Sequence, residues 1–438
     1  MGLRDLSAAL HEGLITPTRA VEAVLQRIEE TEPSINAWVH VDAEGALATA
    51  RRLEESADPR GPLWGVPVAV KDLIDVAGMP TRCGSSLRDD TPAPRDAECV
   101  RLLREAGAVV IGKTVTTEFG YFKPGPTRNP ANLAHTPGGS SSGSAAAVAA
   151  DVVPLALGTQ TAGSLTRPAA FCCAAGFVTP TGTFSLEGVT GLSHSLDTLG
   201  FLAPHVADLH LVWDILTHQP AKVLQAGTDE PVRILLWNGS GLGDVSPAMD
   251  AAVGFAADTL IAGGAAVNDW QQHDLIQQLC EAHADVMAYE AAEERAAELE
   301  RTSELSPPLV ELLTTGQRCT PEEYAAAQQT IASLRQEVLS LLATHDAVLG
   351  PAALGAAPAG IEATGSPVLS RPWQALGFAA ITIPGLRDEF GMPLGIQLIG
   401  IPGQEERLFT IAEQVEETIA ARTPTFPTAR YKPCPQHT

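Results

Sequence analysis

The chain has 438 residues, 45% of them apolar and 18% charged, a balance that excludes a disordered chain and leaves room for a large core. A formal net charge of -24 argues against nucleic acid or an anionic membrane surface as a partner. Seven cysteines, an odd number without metal-ligand spacing, read as free thiols of a reducing cytoplasm, with Cys172 and Cys173 adjacent in an apolar segment.

The first segment, MGLRDLSAALHEGL, is amphipathic and acidic, so no secretory leader is expected there, and no uninterrupted apolar stretch has the length of a membrane span. Thr16-Pro17-Thr18 opens a helix expected to run to about Glu30, with Val21, Val24, Leu25 and Ile28 on its apolar stripe. INAWVHV (35–41) reads as a strand and EGALATARRLEE (44–55) as a helix. GVPVAVKDLIDV (65–76) is an apolar, β-branched run typical of a buried strand, yet it contains Lys71. CVRLLREAGAVVIG (99–112) reads as helix, glycine turn and strand. TPGGSSSGSAAAVAA (136–150) puts a Gly/Ser turn directly against an alanine-rich helix, which a flexible linker would not do. VVPLAL (152–157) follows as a strand and GTQTAGS as a turn. VRILLWN (232–238), AVLGPA (347–352) and LGIQLIG (394–400) read as later strands.

Alternating strands and helices predict an α/β fold, a large mixed central sheet covered on both faces by helices. The expected organisation is a single domain over 1–438, with a core at 60–210. A helical peripheral subdomain or lid is expected at 270–345 and a loose tail at 423–438.

GAVVIGKT (107–114) matches the phosphate-loop pattern G-x-x-x-x-G-K-[ST]. Its four variable residues are Ala-Val-Val-Ile, which read as the strand itself, with N–H groups committed to a sheet rather than to phosphate. Nucleotide binding is therefore not expected.

Two small-residue turns, one holding Ser140 and one holding Ser164, flank a single strand-helix unit and can bring two hydroxyls together. A serine hydroxyl is a weak nucleophile until a base takes its proton, and neither turn contains a histidine. A buried lysine can serve, because desolvation lowers its pKa and leaves a neutral amine; Lys71 suits that role, though a strand lysine with no catalytic part is the plainer reading of that residue alone.

Lys71, the Gly138-Gly139-Ser140 turn and Ser164 together resemble the amidase signature family. The resemblance runs nearly end to end, through GVPVAVKDLIDVAG, GPTRNPANLAHTPGGSSSGSAAAVAA and GTQTAGSLTRPAAFC, then SLDTLGFLAP (195–204) and GMPLGIQLIG (391–400). It implies the α/β/α amidase signature fold and a Ser-Ser-Lys triad that needs no cofactor and no metal. Ser164 would be the nucleophile and Lys71 the base. Ser140, after a cis peptide bond, would relay the proton between them. The N–H groups of Thr161, Ala162, Gly163 and Ser164 would form an oxyanion hole, each donor contributing roughly 3–4 kcal/mol. Gly138 and Gly139 would border the substrate, with Ser141 and Gln160 in support. Ser142 and Ser144 read as turn and helix-cap hydroxyls, Arg128 as a brace for its loop, and Asp72, Asp75 and Glu118 as partners of structural cations. Ser141 itself is expected to cap the helix or to bond Lys71 or Ser164.

Gln160, Ala162 and Arg167 depart from the commonest family pattern. Ala162 would narrow the pocket if its φ were positive. Gln160 with Arg167 resembles the subgroup of malonamidase and small-ureide hydrolases of the carboxybiuret type, in which the arginine holds a substrate carboxylate. The implied activity is hydrolysis of a small carboxamide or ureide C–N bond through an acyl-enzyme. The partner is a small-molecule amide, with a homodimer allowed and neither nucleic acid nor membrane involved. Two alternatives are the glutamine-hydrolysing component of an amidotransferase and a catalytically silent binding protein on the same fold.

Overall fold

The central strands read as unbroken apolar runs because both of their faces are buried, and their side chains alternate between two separate cores. In the computed structural model, which describes residues 2–217 and 231–422, Val68, Val70, Leu155, Leu157, Phe177 and Phe201 enter one core. Ala69, Ala156, Val109, Ile111 and Leu202 enter the other.

Among the described residues eleven strands form one mixed sheet: β1 (Trp38–Val41), β2 (Pro67–Lys71), β3 (Val109–Thr114), β4 (Leu155–Gln160), β5 (Ala175–Val178), β6 (Thr198–Ala203), β7 (Arg233–Leu236), β8 (Ala266–Asp269), β9 (Ala347–Pro351), β10 (Ala379–Arg387) and β11 (Pro393–Gly400). Their spatial order is β1-β3-β2-β4-β6-β5-β10-β11-β9-β7-β8. β3, β2 and β4 run parallel, as do β9, β7 and β8, while the strands between them are antiparallel. Helices Leu3–His11, Glu98–Glu105, Val206–Leu216, Pro247–Ala262 and Glu405–Arg422 cover the first core. Helices Pro17–Ile35, Ser142–Ala149, Thr166–Cys172 and Pro321–Leu342 lie on the second. The expected α/β/α sandwich is the observed fold.

Residues 273–342 fold almost entirely as helices, chiefly His273–Glu294, Pro307–Arg318 and Pro321–Leu342. A third apolar cluster joins Ala282, Val286 and Met287 of this region to Leu73, Phe119, Ala162 and Leu192. That cluster seats the helices over the ends of β2 and β4. The tail expected at 423–438 lies outside the described residues.

Local expectations shift in three places. The second helix continues to Ile35, past Glu30, and Asn36 ends it in a left-handed conformation, so β1 begins only at Trp38. The strand read at 152–157 is Leu155–Gln160, which moves Gly158, Thr159 and Gln160 from the turn into the sheet. The phosphate-loop look-alike is strand throughout its second half: Gly112, Lys113 and Thr114 all lie in β3.

Lys113 serves the interior instead. Its Nζ lies 3.0 Å from Asp72 Oδ1, both side chains are fully buried, and Nζ also reaches Thr81 Oγ1 at 2.9 Å. Desolvation pushes the carboxyl of Asp72 up and the amine of Lys113 down, each against the pull of its partner. Lys113→Met strands a buried carboxylate, so unfolding free energy should fall by about 3–5 kcal/mol in a urea titration, with Asp72→Asn/Lys113→Met recovering part of the loss. An unchanged midpoint for the single variant would show that the pair contributes nothing.

Candidate active site

The period-2 alternation that sends Val68 and Val70 to one face sends Ala69 and Lys71 to the other, under the helix Ser142–Ala149. Lys71 is the last residue of β2, and β4 beside it ends at Gln160, so the site forms at the carboxyl ends of two adjacent parallel strands, where open α/β sheets leave a crevice.

The turn 138–141 is built for close approach. Gly138 has a φ of +81°, and a Cβ there would sit 3.0 Å from Pro168 Cα. The Gly139–Ser140 peptide bond is cis. Gly143, in the first turn of the following helix, passes so near Ala37 and Val115 that a Cβ would fall 2.2 Å from Ala37 O. The turn thereby delivers Ser140 Oγ to within 2.7 Å of Lys71 Nζ. Thr159 Oγ1 lies 2.8 Å from the same amine and Thr159 O 3.4 Å from it. Lys71 is completely buried; desolvation pushes its amine down to about 7, against the opposing attraction of Asp197.

After β4 the chain makes a tight turn through residues 161–165 into the helix Thr166–Cys172. Gln160 Oε1 accepts the N–H groups of Leu165 and Thr166, each at 3.0 Å, and its Nε2 donates to Gln374 Oε1 at 3.1 Å. Among the described residues the N–H groups of Thr161, Ala162, Gly163 and Ser164 donate to no protein acceptor. Ala162 is not in a positive-φ conformation, so the narrowing considered for it does not arise. Ser164 stands at the wall of a cavity that Ser140, Thr161, Arg167, Met287 and Arg371 also line. Its carbonyl accepts the Ser141 N–H at 3.0 Å, tying the two serine turns together.

Gly138 packs on Pro168 and Phe171, and Gly139 offers its carbonyl to Arg167 Nη2 at 2.7 Å. The Ser141 hydroxyl reaches neither Lys71 nor the Ser164 side chain; it bonds Thr159 O at 3.3 Å and accepts Thr159 N–H at 3.4 Å, clamping the turn to β4. Arg128 Nη1 donates to Leu133 O at 2.9 Å, and Glu118 lies 3.4 Å from Lys123.

Arg167 is 4% exposed, and among the described residues it has no carboxylate partner. Beyond Gly139 O, its Nη2 reaches Thr364 Oγ1 at 3.3 Å, while Nε and Nη1 are buried without an acceptor. Burial first, then Arg371 nearby, pushes its guanidinium down to about 9, still charged at neutral pH.

Three further residues went unassigned in the sequence. Asp197, inside the block SLDTLGFLAP, accepts the Thr161 hydroxyl and the N–H groups of Leu192 at 2.7 Å and Ser193 at 3.0 Å; desolvation nonetheless pushes its carboxyl up. His283, on helix His273–Glu294, has Nε2 2.8 Å from Thr161 O, and burial pushes it down to about 3, so it is neutral and Nε2 donates. Both hold the turn that carries Ser164. The third is Arg371, at the start of helix Arg371–Ala375. Only Asp197 carried a signal, its place in a quoted block; a histidine on a long helix and an arginine after a serine carry none.

Among the described residues, one group has metal-ligand spacing: His210, Asp214 and Glu406. It lies on the first-core face of the sheet, away from Lys71, and His210 already bonds Glu413 at 2.8 Å and Glu406 at 3.2 Å. Also among the described residues, no helix is long and apolar enough to cross a membrane.

The sequence profile of the family described as Amidase matches residues 19–409. The chain is 30% identical to a glutamyl-tRNA(Gln) amidotransferase chain of Agathobacter rectalis, over 94% of this chain and 93% of that one. Its structure is similar to the peptide amidase of Stenotrophomonas maltophilia, with a TM-score of 0.80 and 29% identity over 97% of this chain and 98% of that one. It is also similar, with a TM-score of 0.86 and 30% identity over 95% and 98% of the two chains, to a protein from a structure described as an unexpected vestigial protein complex that reveals the evolutionary origins of an s-triazine catabolic enzyme.

Proposed function

Since the chain belongs to the amidase family and is a hydrolase acting on amide C–N bonds, we propose that it cleaves small amides or ureides whose acyl group carries a carboxylate, through a Ser164 acyl-enzyme. The observation that carries the reading is the fully buried Lys71 amine, depressed to about 7 and 2.7 Å from Ser140 Oγ at the wall of the cavity that holds Ser164.

The steps balance as two acyl transfers. Ser164 Oγ adds to the amide carbon as its proton passes to Ser140 Oγ, whose own proton passes to the neutral Lys71 amine. The carbonyl oxygen becomes an oxyanion facing the unspent N–H groups of residues 161–164, donors already in place before charge develops. As the C–N bond breaks, the Lys71 ammonium returns a proton through Ser140 to the leaving nitrogen. Water then repeats the sequence on the ester, releasing the acid and restoring the Ser164 hydroxyl. Asp197 opposes desolvation at Lys71, and this sets the amine near neutrality rather than far below it.

The carboxylate preference follows from Arg167, three residues past Ser164 on the first turn of its helix. A guanidinium that is buried and, among the described residues, lacks an acid partner suits a carboxylate, to which its unspent N–H groups can donate. Removing one partner of a buried charge pair costs roughly 2–5 kcal/mol, or about 30- to several-thousand-fold. Arg167→Gln should lose that much kcat/KM on the monoamide of a short dicarboxylic acid relative to the neutral diamide. A wild-type enzyme preferring the diamide, or equal losses on both, would rule the preference out. Glutamine belongs in the same panel, because the relatives named as amidotransferases favour a glutaminase as the second reading. Efficient ammonia release from glutamine alone would select it.

A further inference from the structure

Two buried cations of this protein sit beside an acid. Lys113 has Asp72 at 3.0 Å, and Arg295, 8% exposed at its side chain, has Glu298 at 3.5 Å and Glu294 at 3.7 Å. The cavity beside Ser164 departs from that pattern twice. Arg167 and Arg371 both line it, from different elements, and among the described residues neither has an ion-pair partner. Arg167 keeps Nε and Nη1 buried without an acceptor, and partly buried Arg371 does the same with Nε. Arg371 has the Cys280 thiol beside it rather than a carboxylate.

Acids are not scarce, since Asp and Glu number 52 against 28 Lys and Arg. Two like charges facing one cavity repel, and buried N–H groups without acceptors are costly, so an anion between the two guanidiniums would relieve both. Arg371 adds to the effect of burial in lowering the guanidinium pKa of Arg167. Arg167 lies three residues past Ser164 and lines the same cavity, so a carboxylate it holds is a short chain away from the reacting carbonyl.

We infer that Arg371 is a second specificity residue, and that the acyl group of the substrate ends in a carboxylate bridged between the guanidiniums of Arg167 and Arg371. This rests on the amide-hydrolase reading above and deepens it. One arginine leaves two carboxylate lone-pair directions to water; a second, from another element, fills them and fixes the distance from carboxylate to scissile carbon. The substrate class is the monoamide or ureide of a short dicarboxylic acid, not a long fatty or aromatic amide.

The test measures kcat/KM for malonic and succinic monoamides and for the matching neutral diamides, with malonate and acetate as competitive inhibitors. Wild type, Arg167→Gln, Arg371→Gln and Arg371→Lys are compared. Arg371→Gln should lower the monoamide-to-diamide ratio by about 10- to 100-fold, the scale of a lost charged hydrogen bond, and weaken inhibition by both carboxylates, malonate and acetate. Arg371→Lys should recover part of both. A wild type without preference for the monoamides would defeat the carboxylate reading as a whole. A wild-type preference lost in Arg167→Gln but intact in Arg371→Gln would overturn the role of Arg371 alone. Equal losses on both substrates with a lowered Tm would likewise overturn it, as the mark of a bracing residue.

Discussion

Ser164→Ala should reduce turnover by roughly 10⁵- to 10⁶-fold and abolish labelling by a fluorophosphonate, while the protein stays folded. In the proposed mechanism the acyl bond forms on Ser164 Oγ, which faces the cavity, while Ser140 Oγ, 2.7 Å from Lys71, relays protons and the Ser141 hydroxyl is spent on Thr159. The fold is kept because what Ser164 contributes to structure is its carbonyl, which accepts the Ser141 N–H at 3.0 Å and survives in alanine. The side chain faces a cavity, so deleting one oxygen leaves no buried donor stranded. Thermal unfolding should therefore shift little. Labelling that persists in Ser164→Ala, mapped by mass spectrometry to another residue, would overturn the assignment of the nucleophile.

Lys71→Ala should cost about 10³- to 10⁴-fold in kcat/KM, the upper range of general-base catalysis, because in the proposed relay the proton ends at its Nζ. Lys71→Arg separates a base from a mere positive charge. A guanidinium stays protonated, so arginine should be as inactive as alanine; restored activity would mean that only the charge is needed. The pH profile follows from the same residue. Its amine must be neutral in the resting enzyme, and burial places its pKa near 7. The neutral fraction grows as pH rises through 7, so kcat/KM should climb through that region, level above it and fall tenfold per unit below. A profile flat from pH 5.5 to 9, with chemistry limiting, would require another base.

Much of this site was legible locally. Lysine inside an apolar strand, glycines before one serine and small residues around another are short-range patterns, and each sets backbone conformation without help from distant residues. The phosphate-loop look-alike was rejected for a local reason that the strand Val109–Thr114 matches. Alternation of strand and helix was enough for the layer architecture, because each element must bury its apolar face against another.

What the tertiary structure decided is whatever depends on elements far apart in sequence. Gly158, Thr159 and Gln160 read as turn residues, yet they are strand because β4 is paired on both sides, by β2 and β6, and ladder pairing outweighs the weak strand preference of glycine. That extension is what aims Thr159 at Lys71. Asp197 comes beside Lys71 when β6 pairs with β4, and His283 and Arg371 arrive on the helices His273–Glu294 and Arg371–Ala375. The sequence by itself determined the fold class, the family resemblance and the residues at the two serine turns, since those are properties of contiguous chain. The pKa of Lys71, the lack of an acid beside Arg167 among the described residues and the second arginine at the cavity were decided by folding, because charge, burial and distance are properties of neighbours in space.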